Sequence, residues 1–527
     1  MPTTLRSSIV VLALALALPS AAHAANTITI NPGDDVAAKF ASAADGDTIH
    51  FKAGTYSATV STARNNLTVE GEKGVILANP ASAAAKTATL AFTGSGAKLT
   101  DMTVVSTVGD AVTLGMAAST VLRSTLVTVA KDQSALSVTA APLDPDRTVT
   151  VDSTVLAGTT NAFSAGNTTG TVAGGGVTGA FRHVTAVGAV VADASNGTLG
   201  ASAIALTFLD SIVRGAKTEK PGTPSTIAGT VTVDPARNSY AATASDAAAL
   251  FIAPGSFNFH LRADAPVIDK GQITNGESDK DVDGDPRTSG AASDYGADEF
   301  VNKVPTAVIT APTGKVRQGI PATFDASKSS DPEAATGGGI AKYHWDFGDG
   351  TSADTTTPTT THSFPERKDY NVRVTVTDKQ GLASAASTPD SVTVVDGTPP
   401  TVNIAQPKTK QRINLYKPKA KSKRAKVTFF GTASDDTLLA NVFVALRQVG
   451  VKNGKCRWFD TKSKLVTASC TDSSAIPVAT ASVTGQSWRY TLPSKARLPR
   501  GPYVLVAIAA DASGLASPVK TVTFRFR

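Results

Sequence analysis

Five polar residues recur in the first half of the chain, each opening the same kind of tetrapeptide. They are Asp101-Met-Thr-Val104, Arg123-Ser-Thr-Leu126, Asp152-Ser-Thr-Val155, His183-Val-Thr-Ala186 and Asp210-Ser-Ile-Val213, with leading residues 22, 29, 31 and 27 positions apart. Carboxylates, an arginine and a histidine are the groups that break sugar chains. Glycoside hydrolysis needs two carboxyls about 5–9.5 Å apart across one bond. Elimination beside a sugar carboxylate needs a base and a cation for the developing charge. A second constellation is Asp279-Lys-Asp281-Val-Asp283-Gly284-Asp285. Carboxylates at alternate positions before a glycine can wrap oxygens around calcium, as in the first half of an EF-hand loop. The twelfth position is Gly290 where that loop has Glu, so an ion-pair network with Arg287, Asp294 and Asp298 is the alternative. A third stretch, Trp345-Asp-Phe-Gly-Asp-Gly350, contains D-F-G. The Gly-rich loop, strand lysine and H-R-D element of a kinase are missing, so the stretch reads as a strand end and a tight turn.

The five tetrapeptides must be carried by something periodic. Residues 26–300 show no sustained helical period and many short β-branched pieces between Gly, Ala and Thr. One short strand motif per loosely constant repeat predicts the coils of a solenoid, with length changes confined to turns. Stacked coils lie about 4.8 Å apart, so Asp101, Arg123, Asp152, His183 and Asp210 would form a ladder along one edge. On that spacing Asp101–Arg123 and Asp152–His183 are adjacent rungs. The same ladder is also what polar turn residues satisfying strand ends would look like.

Composition and charge bound the setting. Residues 1–24 order a short front carrying Arg6, an apolar run from Ile9 to Leu18 and a close at Ala22-His23-Ala24, which reads as a secretory signal peptide cleaved before Ala25. No other stretch is apolar enough for a membrane span. Of the net charge of +7, residues 400–527 carry 22 Lys+Arg against 5 Asp+Glu, whereas residues 25–399 are net acidic. The densest run, Lys417 to Lys426, suits an anionic wall polymer, acidic polysaccharide or headgroup surface better than nucleic acid, or serves only as a solvated loop. The two cysteines, Cys456 and Cys470, predict one disulfide in an exported chain.

Three resemblances sharpen this. The opening Asp45–Leu77 and the closing Phe257–Gly271 with Asp281–Phe300 resemble secreted right-handed parallel β-helix proteins of the pectin-lyase-like superfamily. That resemblance implies a β-helix over 25–302 whose last segment closes the solenoid end as a cap. The superfamily includes polysaccharide lyases and hydrolases as well as members without demonstrated chemistry. On the coils that carry the tetrapeptides, neither the neighbouring Asp-Asp of its hydrolases nor the Arg-rich motif of its pectate lyases is visible. Residues 303–396, with PTAVITAP, YHWDFGDGTS and YNVRVTVTD, closely resemble a PKD domain, an Ig-like β-sandwich. There Tyr343, Trp345 and Phe347 alternate toward a core. Residues 397–527 resemble a basic bacterial Ig-like sandwich, with strands expected at Lys426–Gly431, Val442–Leu446, Trp488–Leu492, Tyr503–Ala507 and Thr521–Phe526. The expectation is an all-β, extracellular, monomeric protein whose right-handed parallel β-helix binds a polysaccharide or surface partner, followed by two β-sandwich domains as spacer and anchor. The alternative is a lyase or glycoside hydrolase acting on the solenoid face.

Overall fold

The computed structural model describes residues 24–527 except 116–117, 141–145, 168–175, 196–202, 222–228, 242–246, 274–277, 418–419, 453–454, 461–463 and 471–475, and omits the side chains of 140, 167, 416–417, 420–424 and 451–452. Residues 1–23, with nearly all of the expected signal peptide, lie outside the described residues, as do the side chains of the basic run from Lys417 to Arg424. The chain is all-β and forms two compact units: residues up to Val304 with Asp331–Gly339, and Pro305–Ser330 with Ile340–Arg527.

The first unit is a β-solenoid. Nine strands stack in parallel as one face, in the order Thr27–Ile30, Thr48–Phe51, Thr68–Gly71, Lys98–Thr100, Ser119–Leu122, Arg147–Asp152, Val177–Arg182, Ile204–Leu209 and Gly229–Val233. A thirteen-stranded sheet supplies the other faces, and its longest member, Val155–Asn167, bends from one face into the next. Inward positions are the β-branched and aromatic ones. Phe163, Phe181 and Phe208 meet through successive coils, the first two edge to face with ring centroids 4.8 Å apart and the last two stacked at 4.3 Å. All three rings are fully buried, and each contributes roughly 1.5–3 kcal/mol by leaving water. Where successive coils bend, their backbones meet closely enough to need glycine. A Cβ on Gly215 would lie 2.0 Å from the carbonyl oxygen of Gly188, and one on Gly188 (φ +121°) would lie 2.6 Å from that of Gly158.

The segment after the last coil does not sit where the resemblance implies. Phe251–Ala253 pairs antiparallel with Asn258–Leu261, and the chain then runs irregularly to Phe300. Phe251, Phe259, Leu261, Val267 and Ala297 form one apolar cluster with Val127, Val155 and Ile212, against which Val105 and Val187 also pack. These solenoid residues belong to five successive coils and point outward, beside inward neighbours such as Val104, Leu126 and Val213. The segment is therefore a clasp along the side of the stack. The physical reason is that this face is apolar on both surfaces and must be covered.

In the second unit, a five-stranded and a two-stranded sheet enclose Phe324, Trp345, Phe364 and Val374. Trp345 is buried and its indole N–H donates to Thr355 Oγ1 at 3.0 Å, so it belongs to the core and not to a sugar-stacking surface. After Ile340–Asp346 the chain turns: Asp346 Oδ1 accepts from Gly348 N at 3.0 Å, and Asp349 Oδ1 accepts from Thr351 N at 3.0 Å. The D-F-G triplet is thus a strand end and a turn. Past Thr401, all five expected strands are present, but pairing runs through one ten-stranded sheet folded over a core around Trp488 and Tyr503, where the Ig-like resemblance implied two sheets. Cys456 and Cys470 are joined beside the hairpin of Lys455–Phe459 and Leu465–Ser469, 14 positions apart in sequence. Opening a loop of that size releases chain entropy worth about 3 kcal/mol. Replacing both cysteines by serine should lower stability by about 2–3 kcal/mol in a denaturant titration; a change under about 0.5 kcal/mol would contradict the entropic account.

Candidate functional site

Corners of the solenoid carry the recurring polar residues. Asp101, Arg123, His183 and Asp210 each adopt a left-handed conformation, with φ from 41° to 57°, between two strands. Ser153 (φ 50°) holds that position in its own coil, so Asp152 is one residue out of the expected ladder. Each corner N–H donates to the carbonyl before the next corner: Asp101 to Leu122, Arg123 to Asp152, Ser153 to Arg182, His183 to Leu209 and Asp210 to Arg237. Strand register accordingly sets Asp152 beside Arg182, not His183. The residue after the corner adds a second line of bonds. Ser124, Thr154, Ser211 and Asn238 accept from the preceding coil, from the N–H of Met102, Ser124, Val184 and Ser211. Three of them return a proton to their own coil, at the carbonyls of Leu122, Asp152 and Leu209. The tetrapeptide pattern encodes this turn.

The clasp covers most of this row. Ser278 N donates to Asp152 Oδ2 at 2.7 Å, Ser153 Oγ to the Lys280 carbonyl at 2.9 Å, and Gly296 N to the Asp210 carbonyl at 2.9 Å. His183 Nδ1 lies 3.3 Å from the Asp294 carbonyl, and Asp210 pairs with Arg237. Asp152, His183 and Asp210 are buried, so they do not form the exposed catalytic edge that their spacing suggested.

Asp101 and Arg123 remain open to solvent. Arg123 grips Asp101 through Nε to Oδ1 at 2.8 Å and through its terminal nitrogen to Oδ2 at 2.7 Å. This pair lines a cleft of about 400 Å³ between the corner and the clasp, together with Lys73, Phe257, His260 and Asp283. Phe257, in a left-handed conformation, is 43 % exposed. Its neighbour His260 is pushed up to about 9, because Asp298 accepts its Nδ1–H at 2.9 Å; burial opposes this, and Asp283 adds to it. Burial raises the Asp283 carboxyl, with His260 acting against the shift. The cleft is lined from Gly71 to Gly284, and of its charged and aromatic residues only Asp101, Arg123 and Asp283 were marked by local pattern. His260 sits in the ordinary-looking strand Asn258–Leu261, and Phe257 immediately before it.

The four aspartates of the expected calcium loop do not converge. Asp281 Oδ1 accepts from Asp283 N and Asp285 N at 2.9 and 2.7 Å, and its Oδ2 accepts from Glu299 N at 3.0 Å, so it organises the turn. Asp279 and Asp285 are exposed. Among the described residues, the groups whose ligand atoms gather within 4.8 Å are His260, Asp283, Asp298 and, elsewhere, Asp396, Asp435, Asp436. The residues of the alternative network, Arg287, Asp294 and Asp298, are held through backbone bonds and His260: Asp294 accepts from Asp269 N and Phe300 N at 2.7 Å each, and Asp298 from His260 and Leu261 N. Arg287 is 1 % exposed and donates to the carbonyls of Gly296 and Ala297 at 2.9 and 2.8 Å. Around it, burial pushes Asp294 up to about 6 and Glu299 up to about 8.

Solenoid, clasp and sandwich sheets define a modular all-β chain, and among its described residues no helix is long and apolar enough to cross a membrane. Residues 302–394 match the PKD domain family. A microbial collagenase of Vibrio alginolyticus is 41% identical over 87 residues, 16% of this chain and 10% of that protein. Collagenase ColQ1 of Bacillus cereus (strain Q1) is 38% identical over 101 residues, 19% of this chain and 9% of that protein. The chain thus spans about a tenth of the length of these curated relatives. A solved structure of carbohydrate-binding modules from the β-sandwich superfamily aligns with 42% of this chain and 97% of its own at 18% identity and a TM-score of 0.17, too low to bear on fold or ligand.

Proposed function

We propose that the chain is an exported modular protein that binds an extracellular polysaccharide, or a polymer of the cell wall or surface, in the cleft between the solenoid corner and the clasp. In this reading residues 25–302 are the binding module, while 303–396 and 397–527 serve as spacer and basic anchor. The supporting observation is the cleft itself. It places an exposed aromatic ring, Phe257, beside the fixed guanidinium–carboxylate pair Arg123–Asp101 and the amine of Lys73. Sugar rings present C–H faces for the ring and hydroxyls or carboxylates for the fork.

Affinity electrophoresis against uronate-containing and neutral polysaccharides tests it. At least one polymer should retard the protein. Phe257→Ala and Arg123→Gln should each weaken that binding about ten-fold, while melting temperature moves by only a few degrees because both side chains are partly exposed. Unchanged retardation in both variants would remove the cleft from the reading. A second reading, a lyase or glycosidase, draws on Asp283, whose raised carboxyl shares the cleft with Arg123 and Lys73. Release of reducing ends or of unsaturated products from the same polymers, abolished in Asp283→Asn, would establish it over binding alone.

A further inference from the structure

We propose that His260, Asp283 and Asp298 form a site for one divalent transition-metal ion of the zinc or manganese type in the wall of the cleft. His260 lies on the strand Asn258–Leu261, Asp283 on the turn after Asp281, and Asp298 in the stretch that returns beside both. One donor atom from each lies within 4.8 Å of the other two. His260 Nδ1 faces Asp298 Oδ1 at 2.9 Å and Asp283 Oδ2 at 3.2 Å. A ring nitrogen carries a single proton and can serve only one acceptor well. It serves Asp298, and Asp283 Oδ2 is left buried without a hydrogen-bond partner. A dication in place of that proton would satisfy the ring and both carboxylates together. Of the three ligand atoms, Asp283 Oδ2 is thus the one that no hydrogen bond holds in place.

The supporting groups hold the ligands in place. Asp298 Oδ2 accepts from Leu261 N at 2.7 Å, which fixes the carboxylate beside the strand that carries His260. Asp281, by accepting from the N–H groups of Asp283 and Asp285, fixes the turn that carries Asp283. Such outer contacts orient ligands in metal sites generally. One imidazole nitrogen with two carboxylates suits zinc or manganese, whereas calcium takes oxygen ligands. The His260 side chain is 48% exposed, and His260 and Asp283 both line the cleft, so further coordination positions would open toward it.

The test uses the full chain, stripped with a chelator, dialysed, and titrated calorimetrically with ZnCl2, MnCl2 and CaCl2. One site should appear for zinc or manganese, at least ten-fold tighter than any for calcium. Asp283→Asn and His260→Gln should each weaken it at least ten-fold. Asp283→Asn should melt without metal close to the parent, since the oxygen it alters makes no hydrogen bond, and that measurement separates lost ligation from lost fold. Asp435→Asn, in the other carboxylate cluster, should leave the site intact. No zinc or manganese site, tightest binding to calcium, or a site lost in Asp435→Asn and retained in both cleft variants would each overturn the proposal. Polymer binding measured in the presence of the chelator reports separately on the cleft as a polysaccharide site.

Discussion

Replacing Arg287 by methionine should destabilise the solenoid unit by about 3–5 kcal/mol, the usual consequence of removing one partner from a buried charge cluster. The guanidinium is 1 % exposed, its nitrogens hold the carbonyls of Gly296 and Ala297, and its charge faces Asp281 and Glu299. Methionine roughly keeps the volume, so the loss reports on charge and hydrogen bonds more than on a cavity. A pH signature separates this from ordinary packing loss. Burial holds Glu299 up to about 8, against an ordinary 4.5, and Asp294 up to about 6, against 3.8. A carboxyl with a raised folded value binds its proton more tightly when folded. Its contribution is therefore fully present below the ordinary value and is lost as pH rises through the folded value. Without the cation, ionising Glu299 becomes costlier still, so the deficit against the parent should widen as pH rises through about 8, across a range of about pH 6 to 9. Paired denaturant titrations across that range provide the measurement, and a deficit under 1 kcal/mol, or one independent of pH, would contradict the assignment.

How far the sequence discloses this arrangement depends on whether the information is local. The coil repeat is visible because the corners reuse one left-handed residue, followed at Arg123, Ser153 and Asp210 by a side chain that bridges coils, and that choice leaves a mark such as Arg123-Ser-Thr. The one-residue error at Asp152 has a local origin too. Ser153 can take the left-handed position, and Asp152, at the end of the six-residue strand Arg147–Asp152, only imitates the charged corners around it. The covering of the corner row was present in the sequence in another form. Val104-Val105, Leu126-Val127 and Leu156-Ala157 break the alternation expected of a half-solvated strand, and such apolar doublets mean burial on both faces. What covers them could not be read, because a cluster that joins Val127 to Leu261 leaves no periodic trace. The middle sandwich was legible because Tyr343, Trp345 and Phe347 alternate toward one core. The continuity of the ten-stranded sheet depends on strand pairing at its edges, which composition does not specify. The cleft combines both cases: Asp101 and Arg123 stand out in the repeat, while His260 carries no local mark and Asp298, marked only as a partner for Arg287, meets it when the clasp folds.

Gly296→Val should release the clasp with a loss of about 3 kcal/mol. At Gly296 the backbone has φ +100°, and an added Cβ would lie 2.7 Å from Thr185 Oγ1 and 2.8 Å from Ile212 Cδ1. A β-branched residue there is strained by conformation, roughly 1–3 kcal/mol, and by overpacking of similar size. Neither neighbour can yield easily. Thr185 Oγ1 accepts the N–H of Ala297, and Ile212 is buried in the cluster that joins clasp to solenoid. The bond from Gly296 N to the Asp210 carbonyl would go with it, so local opening should appear as faster amide exchange at Gly296 and Ala297 and as new proteolytic cuts within 278–300, at denaturant concentrations where the coils stay folded. The functional consequence discriminates between two sources of binding. One wall of the cleft, including Phe257, His260 and Asp283, belongs to the clasp, so polymer affinity should fall together with clasp protection. Affinity that survives release would move the binding surface onto the corner pair Asp101–Arg123 alone. New hydrolytic or eliminative activity on release would instead mean that the buried row of Asp152, His183 and Asp210 is a catalytic set that the clasp keeps shut.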